Sequence, residues 1–245
     1  MRLFATLLLA LLFVTESDAQ RWSWPERSEN LQVLPADFPG NRLSAVMRGF
    51  TRALGVRCSH CHVGQEGQDL SEYDFASDDN PNKVTARVML NMLGDINDTL
   101  GTIEPTGPER INMWCHTCHR GVARPGTLDE VLMMTYRAQG GEAMLSEYAS
   151  LRERYFGSAS YDFGENSLNT VGYAVLEQED YDTAIAVFRL NVEHFPTSSN
   201  AHDSLAEAYM ESGQDELAEV FYQKALLLDP SNGNSLEMLR TIRSH

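Results

Sequence analysis

Two pentapeptides constrain this chain more than any other feature: Cys58-Ser59-His60-Cys61-His62 and Cys115-His116-Thr117-Cys118-His119. Both read C-x-x-C-H, and together they use all four cysteines. That spacing suits thioether attachment of a c-type haem, with the histidine directly after the second cysteine as proximal iron ligand. The pattern therefore points to two covalently bound haem c groups, one on Cys58, Cys61 and His62, the other on Cys115, Cys118 and His119. Two CxxC pairs also match a four-thiolate zinc site. Zinc gives no reason for a histidine to follow the second cysteine both times. A CxxC redox dithiol belongs beside a βαβ pattern, and no strand–helix alternation is visible here. His60 and His116, inside the x-x positions, read as polar surface rather than ligands.

The first 19 residues fit an export signal. Arg2 is followed by an apolar run from Leu3 to Val14, interrupted only by Thr6, and Ser17-Asp18-Ala19 suits cleavage before Gln20. A membrane span needs about 20 apolar residues, more than this run holds. An exported, periplasmic location agrees with haem attachment. No cysteine follows the run to carry a lipid. The formal charge of −16 is divided unequally: residues 127–245 hold 7 Lys/Arg against 20 Asp/Glu, while residues 20–126 hold 11 against 13. Such an acidic excess argues against nucleic acid as a partner. It suits long-range steering of a basic protein, or simply a solvated surface.

The two halves differ in pattern. In the first, amphipathic helices are expected at about Arg42 to Leu54 and Lys83 to Thr99, each ahead of one CxxCH. Leu43, Val46, Met47, Phe50 and Leu54 share a stripe on the earlier helix, with Gly55 as a C-terminal stop. Val84, Val88, Met92, Ile96 and Leu100 do so on the later one. Gly64 to Asn82 reads as loop. The second half repeats with a period of 34. Setting residues 165–198 above residues 199–232 aligns Val171-Gly172 with Leu205-Ala206, Ala184 with Ala218, Phe188 with Tyr222 and Pro196 with Pro230. Small residues let paired helices approach, a large ring fills the gap, and proline ends the second helix. The pattern resembles the tetratricopeptide repeat, except that Asn191 stands where a small residue is usual. Residues 233–245 read as a capping helix. Two repeats need a neighbour, which the helical stretch from about Leu128 to Tyr155 is expected to supply.

A soft methionine sulfur on the far side of a haem iron raises its reduction potential and closes it to other ligands. Met47 lies eleven residues before Cys58 on the apolar stripe, so a helix that turns at Gly55 returns the CxxCH against its own face. For the second haem, Met89 and Met92 both precede Cys115, with Met92 on the stripe and Met89 on an adjoining face. Met113 is too near in sequence. Arg48, Arg52, Arg57, Arg120 and Arg124 are candidates for pairing with haem propionates. Trp22, Trp24 and Trp114 read as packing residues near the haem edges.

Over about Asn30 to Gly121, the sequence resembles the multihaem cytochrome subunit of photosynthetic reaction centres. The resemblance rests on Met47-Arg48-Gly49-Phe50-Thr51-Arg52-Ala53-Leu54-Gly55-Val56-Arg57-Cys58, on Met92-Leu93-Gly94-Asp95-Ile96-Asn97, and on CxxCH-Arg-Gly ending at Gly121. It implies short helices wrapped around haems, with Met47 and Met92 as axial ligands. The chain departs from that family in having two haem motifs, no lipid-anchor cysteine and an appended repeat region. The reading is thus all-α: signal peptide 1–19, dihaem domain 20–126, helical connector 127–160 and repeat domain 161–245. The expected role is electron carriage rather than enzymatic turnover. Expected partners are a redox donor and acceptor, a photosynthetic or respiratory membrane complex, and a protein at the repeats. The competing readings are a dihaem peroxidase with one open iron and a haem-containing scaffold or sensor.

Overall fold

A computed structural model describes residues 22–103 and 111–244. The expected signal segment, residues 1–19, lies outside them. The described residues are all-helical, apart from one isolated antiparallel bridge between Val63 and Asp74. None of their helices is long and apolar enough to cross a membrane. The chain divides into two compact units. One runs to Thr51 and resumes from Val56 to Met113; the other holds Arg52–Gly55 and everything from Trp114 onward.

The first unit is built on α1 (Gly40–Leu54), whose last turn passes into the second unit, and α2 (Pro81–Leu100). Gly55 ends α1 at φ +66, and the Val56 N–H donates to the Thr51 carbonyl at 3.0 Å. This six-to-one bond is the Schellman closure that a left-handed glycine permits. Asn80 caps α2 through the Asn82 N–H, and Pro81 occupies the first turn, where a missing N–H costs nothing. The loop into α2 is held by polar groups. Asp78 accepts from Asn30 at 2.8 Å and from Arg87 at 2.9 Å. Lys83 reaches back to the carbonyls of Phe75, Ala76 and Ser77.

The second unit contains α3 (Cys115–His119), α4 (Leu128–Gln139), α5 (Gly141–Tyr155), α6 (Glu165–Leu176), α7 (Tyr181–His194), α8 (Ser199–Glu211), α9 (Asp215–Leu228) and α10 (Gly233–Ile242). Helices α4/α5, α6/α7 and α8/α9 pack as successive hairpins, and α10 covers α9. One apolar core runs through them, from Leu128 to Leu239. Helices α4 and α5 thus act as the neighbour that two repeats alone lack.

The 34-residue period has a visible steric cause. A Cβ on Gly172 would stand 2.5 Å from the fully buried Phe188 ring, so the ring occupies the space a side chain would need. Asn191, odd for its place in the repeat, is fully buried and donates to the Glu165 carbonyl at 3.2 Å. It therefore ties α7 to the start of α6 by a hydrogen bond. The second repeat puts Ala225 there, whose carbonyl accepts from Ser199 at 3.0 Å.

Candidate functional site

The first CxxCH begins on a single 3-10 turn, Cys58–His60, directly after the α1 cap. Two side chains from the start of α2 hold it: Asn82 donates to the His60 carbonyl at 2.9 Å and Asn80 to the Ser59 carbonyl at 3.4 Å. Downstream, the Asp74 N–H donates to the Val63 carbonyl at 2.9 Å. The Tyr73 ring fills the space beside Gly64, where a Cβ would come within 2.4 Å. His62 lies edge-on to Phe75 with ring centres 5.0 Å apart, and Phe75 also packs on Trp22 and Tyr73. Burial pushes the His62 pKa down, with Lys83 adding to the effect, which favours the neutral imidazole that an iron ligand requires. Its Nδ1 is buried without a hydrogen-bond partner.

The second motif is the short helix α3, entered through an extended Trp114. His119 is buried, and its Nδ1 lies 3.0 Å from the Val122 carbonyl. A carbonyl only accepts, so Nδ1 must carry the proton, and the Nε2 lone pair is left for a metal. The chain leaves α3 through Arg120 at φ 46 and Gly121 at φ +89. The Gly121 N–H donates to the Ala53 carbonyl at 2.9 Å, and Ser160 donates to the Arg120 carbonyl at 2.6 Å. Gly55 meets the same strand of backbone: a Cβ there would lie 1.9 Å from the Gly121 oxygen.

The sequence gives no hint of the clamp that holds the approach to this motif. Asn97 on α2 accepts from the Met113 N–H at 2.7 Å and donates to the Met113 carbonyl at 3.0 Å, copying a strand pair with one amide. Its contacts are 16 residues apart, and polar side chains leave no periodic trace.

No disulfide joins the four cysteines. Burial raises the pKa of the Cys61 and Cys115 thiols. Among the described residues, no three or more His, Cys, Asp or Glu side chains converge on a metal-sized group. Met47 is half-buried on α1. On α2, one face (Lys83, Ala86, Arg87, Leu90, Leu93, Asn97) is half-buried. Of the expected stripe, Val84 is 47% exposed, Val88 63% and Met92 47%, while Ile96 and Leu100 are half-buried. Met89 is 37% exposed beside it. An apolar patch left uncovered on a helix is the kind of surface a porphyrin plane covers. His119, held in the tautomer that leaves Nε2 free, fits haem ligation. Arg57 is engaged in an exposed ion pair with Glu66 at 2.8 Å, and Arg48 donates to Ser44 at 3.0 Å. Trp114 is 70% exposed, and Trp22 packs edge-on to Trp24.

Helices that carry two CxxCH segments and then run into stacked helical hairpins define a c-type cytochrome with an appended repeat region. Residues 26–157, more than half of the chain, match the profile of the photosynthetic reaction centre cytochrome C subunit, and residues 175–241 match the tetratricopeptide repeat. The chain belongs to the reaction-centre cytochrome c subunit family, followed by tetratricopeptide repeats, and that membership implies haem c. No curated protein matches it significantly. Among solved structures, the first TPR domain of human RPAP3 is 16% identical, with 48% of this chain and 87% of that chain covered, at a TM-score of 0.35. The second TPR domain of human RPAP3, in complex with an HSP70 peptide, gives 16%, 47%, 92% and 0.35. The TPR2AB domain of yeast Sti1 gives 20%, 48%, 45% and 0.34.

Proposed function

We propose that this protein is an exported dihaem cytochrome c that passes single electrons between redox proteins and uses its repeats to dock a protein partner. Cys58, Cys61, Cys115 and Cys118 hold two haem c groups. His62 and His119 supply one axial position on each iron, and Met47 and Met92 the other. The observation that carries this reading is the His119 imidazole: buried, protonated at Nδ1 toward Val122, and therefore a fixed Nε2 donor. Bound haem supplies reversible one-electron chemistry, with a potential set by axial ligands and burial. The chain's own residues do the rest. The Val122 carbonyl orients one proximal ring, and Phe75 borders the other. Val84, Val88 and Met92 offer apolar surface that keeps water from a bound porphyrin face. Residues 1–19 support export to the periplasm, and the acidic repeat half suits a basic partner face.

Haem stoichiometry and the ferric visible spectrum of the full chain test this. Two haems per chain, both low-spin, are expected. A high-spin signal from half of the haem would indicate an open iron and a peroxidase-type enzyme instead.

A further inference from the structure

Helix α9 is apolar on two sides. Ala218, Tyr222 and Ala225 face inward and are fully buried. On another side, Leu217, Val220, Lys224 and Leu227 follow at spacings of 3, 4 and 3 residues, which sets them in one line along a helix. Leu217 is 42% exposed, Val220 57% and Leu227 75%, and Lys224 is exposed as well. A surface helix of a soluble protein ordinarily turns only one stripe apolar. The preceding repeat shows what is missing. There, 34 residues earlier, the same line on α7 holds Thr183, Ala186 and Leu190, all half-buried. Helix α5 lies alongside them, with Gly141 against Thr183, and Leu145 and Ala149 across a cleft from Ala186 and Leu190. On α9 the line stays uncovered among the described residues.

The line has the spacing of a coiled-coil seam, with Leu217 and Lys224 at a positions and Val220 and Leu227 at d positions. That spacing reads the same in both directions. A second α9 laid antiparallel therefore opposes Leu217 with Leu227, and Val220 with the methylene stem of Lys224. The Lys224 ammonium then lies one turn from Glu216 of the second copy. Its own helix offers Lys224 no acid three or four residues away, and offers Glu216 no base. Neither forms an ion pair with another described residue, whereas nearby Glu219 is engaged by Arg243. A basic partner would meet the Lys224 charge in the middle of the stripe, and a purely apolar one would bury it without an acid. The formal charge of −16 opposes self-association. At physiological salt, charges more than about 8 Å apart are largely screened, so the local match decides.

We propose that two copies of this chain associate through α9, antiparallel, along this stripe. One helix stripe falls short of the ~800 Å² per partner of a standard interface, so the dimer is weak and dissociates on dilution. Sedimentation velocity of the full haem-loaded chain at physiological salt, over a hundredfold range of concentration, tests this. The apparent mass is expected to rise toward twice that of the monomer. Leu227→Gln keeps a good helix former and removes exposed apolar surface twice in a symmetric pair. It should weaken association at least about tenfold, and at the greatest dilution it should melt with the parent. Lys224→Glu should also weaken association, and Lys224→Glu combined with Glu216→Lys should recover most of the loss. That charge swap decides the matter if Leu227→Gln also lowers the melting temperature. The proposal is overturned if the chain stays monomeric throughout, which would assign the stripe to a different protein. It is equally overturned if Leu227→Gln associates as the parent does, or if the double variant associates no better than Lys224→Glu alone.

Discussion

Gly55→Ala isolates what the contact between the α1 cap and the second motif contributes. Gly55 adopts φ +66, where an alanine costs about 1–2 kcal/mol. Its new Cβ would also lie 1.9 Å from the Gly121 carbonyl oxygen, far inside contact distance. Both partners are backbone, so relief requires the segments to separate. The Gly121 N–H then loses the Ala53 carbonyl at 2.9 Å, about 1 kcal/mol or more. The total comes to about 2–3 kcal/mol, a large part of a domain's usual 5–15. At about 2–4 °C per kcal/mol for a chain of this size, the melting temperature should fall by roughly 4–12 °C. Gly67→Ala is the control. Gly67 has φ +86 but nothing within 4 Å of its would-be Cβ, so it bears only the dihedral cost. Thermal unfolding followed by far-ultraviolet circular dichroism compares them. If the two variants melt together, the close-approach argument fails.

Other expectations follow from single residues. Met92→Ala should convert the second haem to a high-spin ferric spectrum while Met89→Ala leaves it low-spin, and the reverse outcome would transfer the ligand role to Met89. Met47→His should lower the first haem's potential, since imidazole favours ferric iron more than thioether does; an unchanged redox titration refutes Met47 as ligand. Hydrogen bonds from Arg87 and then Asn30 hold the Asp78 pKa well below the usual carboxylate range. A depressed folded-state pKa means the contribution is complete above the unfolded value of about 3.9 and is lost as pH falls toward the folded one. Asp78→Asn should therefore flatten the loss of melting temperature between about pH 5 and pH 3, and an unaltered slope would remove Asp78 from the account. Glu179 sits at φ 60, where the next repeat has Gly213 at φ +74. Glu179→Gly should stabilise by about 0.5 kcal/mol, the left-handed strain less the entropy of glycine; a lower urea midpoint contradicts this.

What the sequence made legible were the periodic features. A helix precedes each CxxCH, and α1 and α2 lie within two residues of the stripes that forecast them. Gly172 against Phe188 explains the 34-residue period through contact. The polar restraints were not legible. Asp78 and Asn30 are 48 residues apart, and nothing in the composition of a Gly/Asp/Ser/Asn-rich loop distinguishes a hub from solvated turn residues. Asn97 falls within a segment that resembles the family, yet its clamp on Met113 appears only once the chain is folded. The stripe on α2 marked a special face, but periodicity alone does not say whether polypeptide covers it. The polypeptide half-buries Lys83, Leu90 and Asn97, and of the stripe only Ile96 and Leu100.

The unbroken core from Leu128 to Leu239 has a thermodynamic consequence. Ser160, at the edge of that core, donates to the Arg120 carbonyl one residue beyond His119. A ligand that binds only the folded repeats stabilises them by RT ln(1 + [L]/Kd). Through the Ser160 hydrogen bond, the turn that carries His119 is coupled to that stabilisation. By reciprocity, whatever tightens that turn also tightens the repeats' grip on their ligand. Slowed amide exchange at Gly121 and Val122 on partner binding would be the direct sign of this linkage.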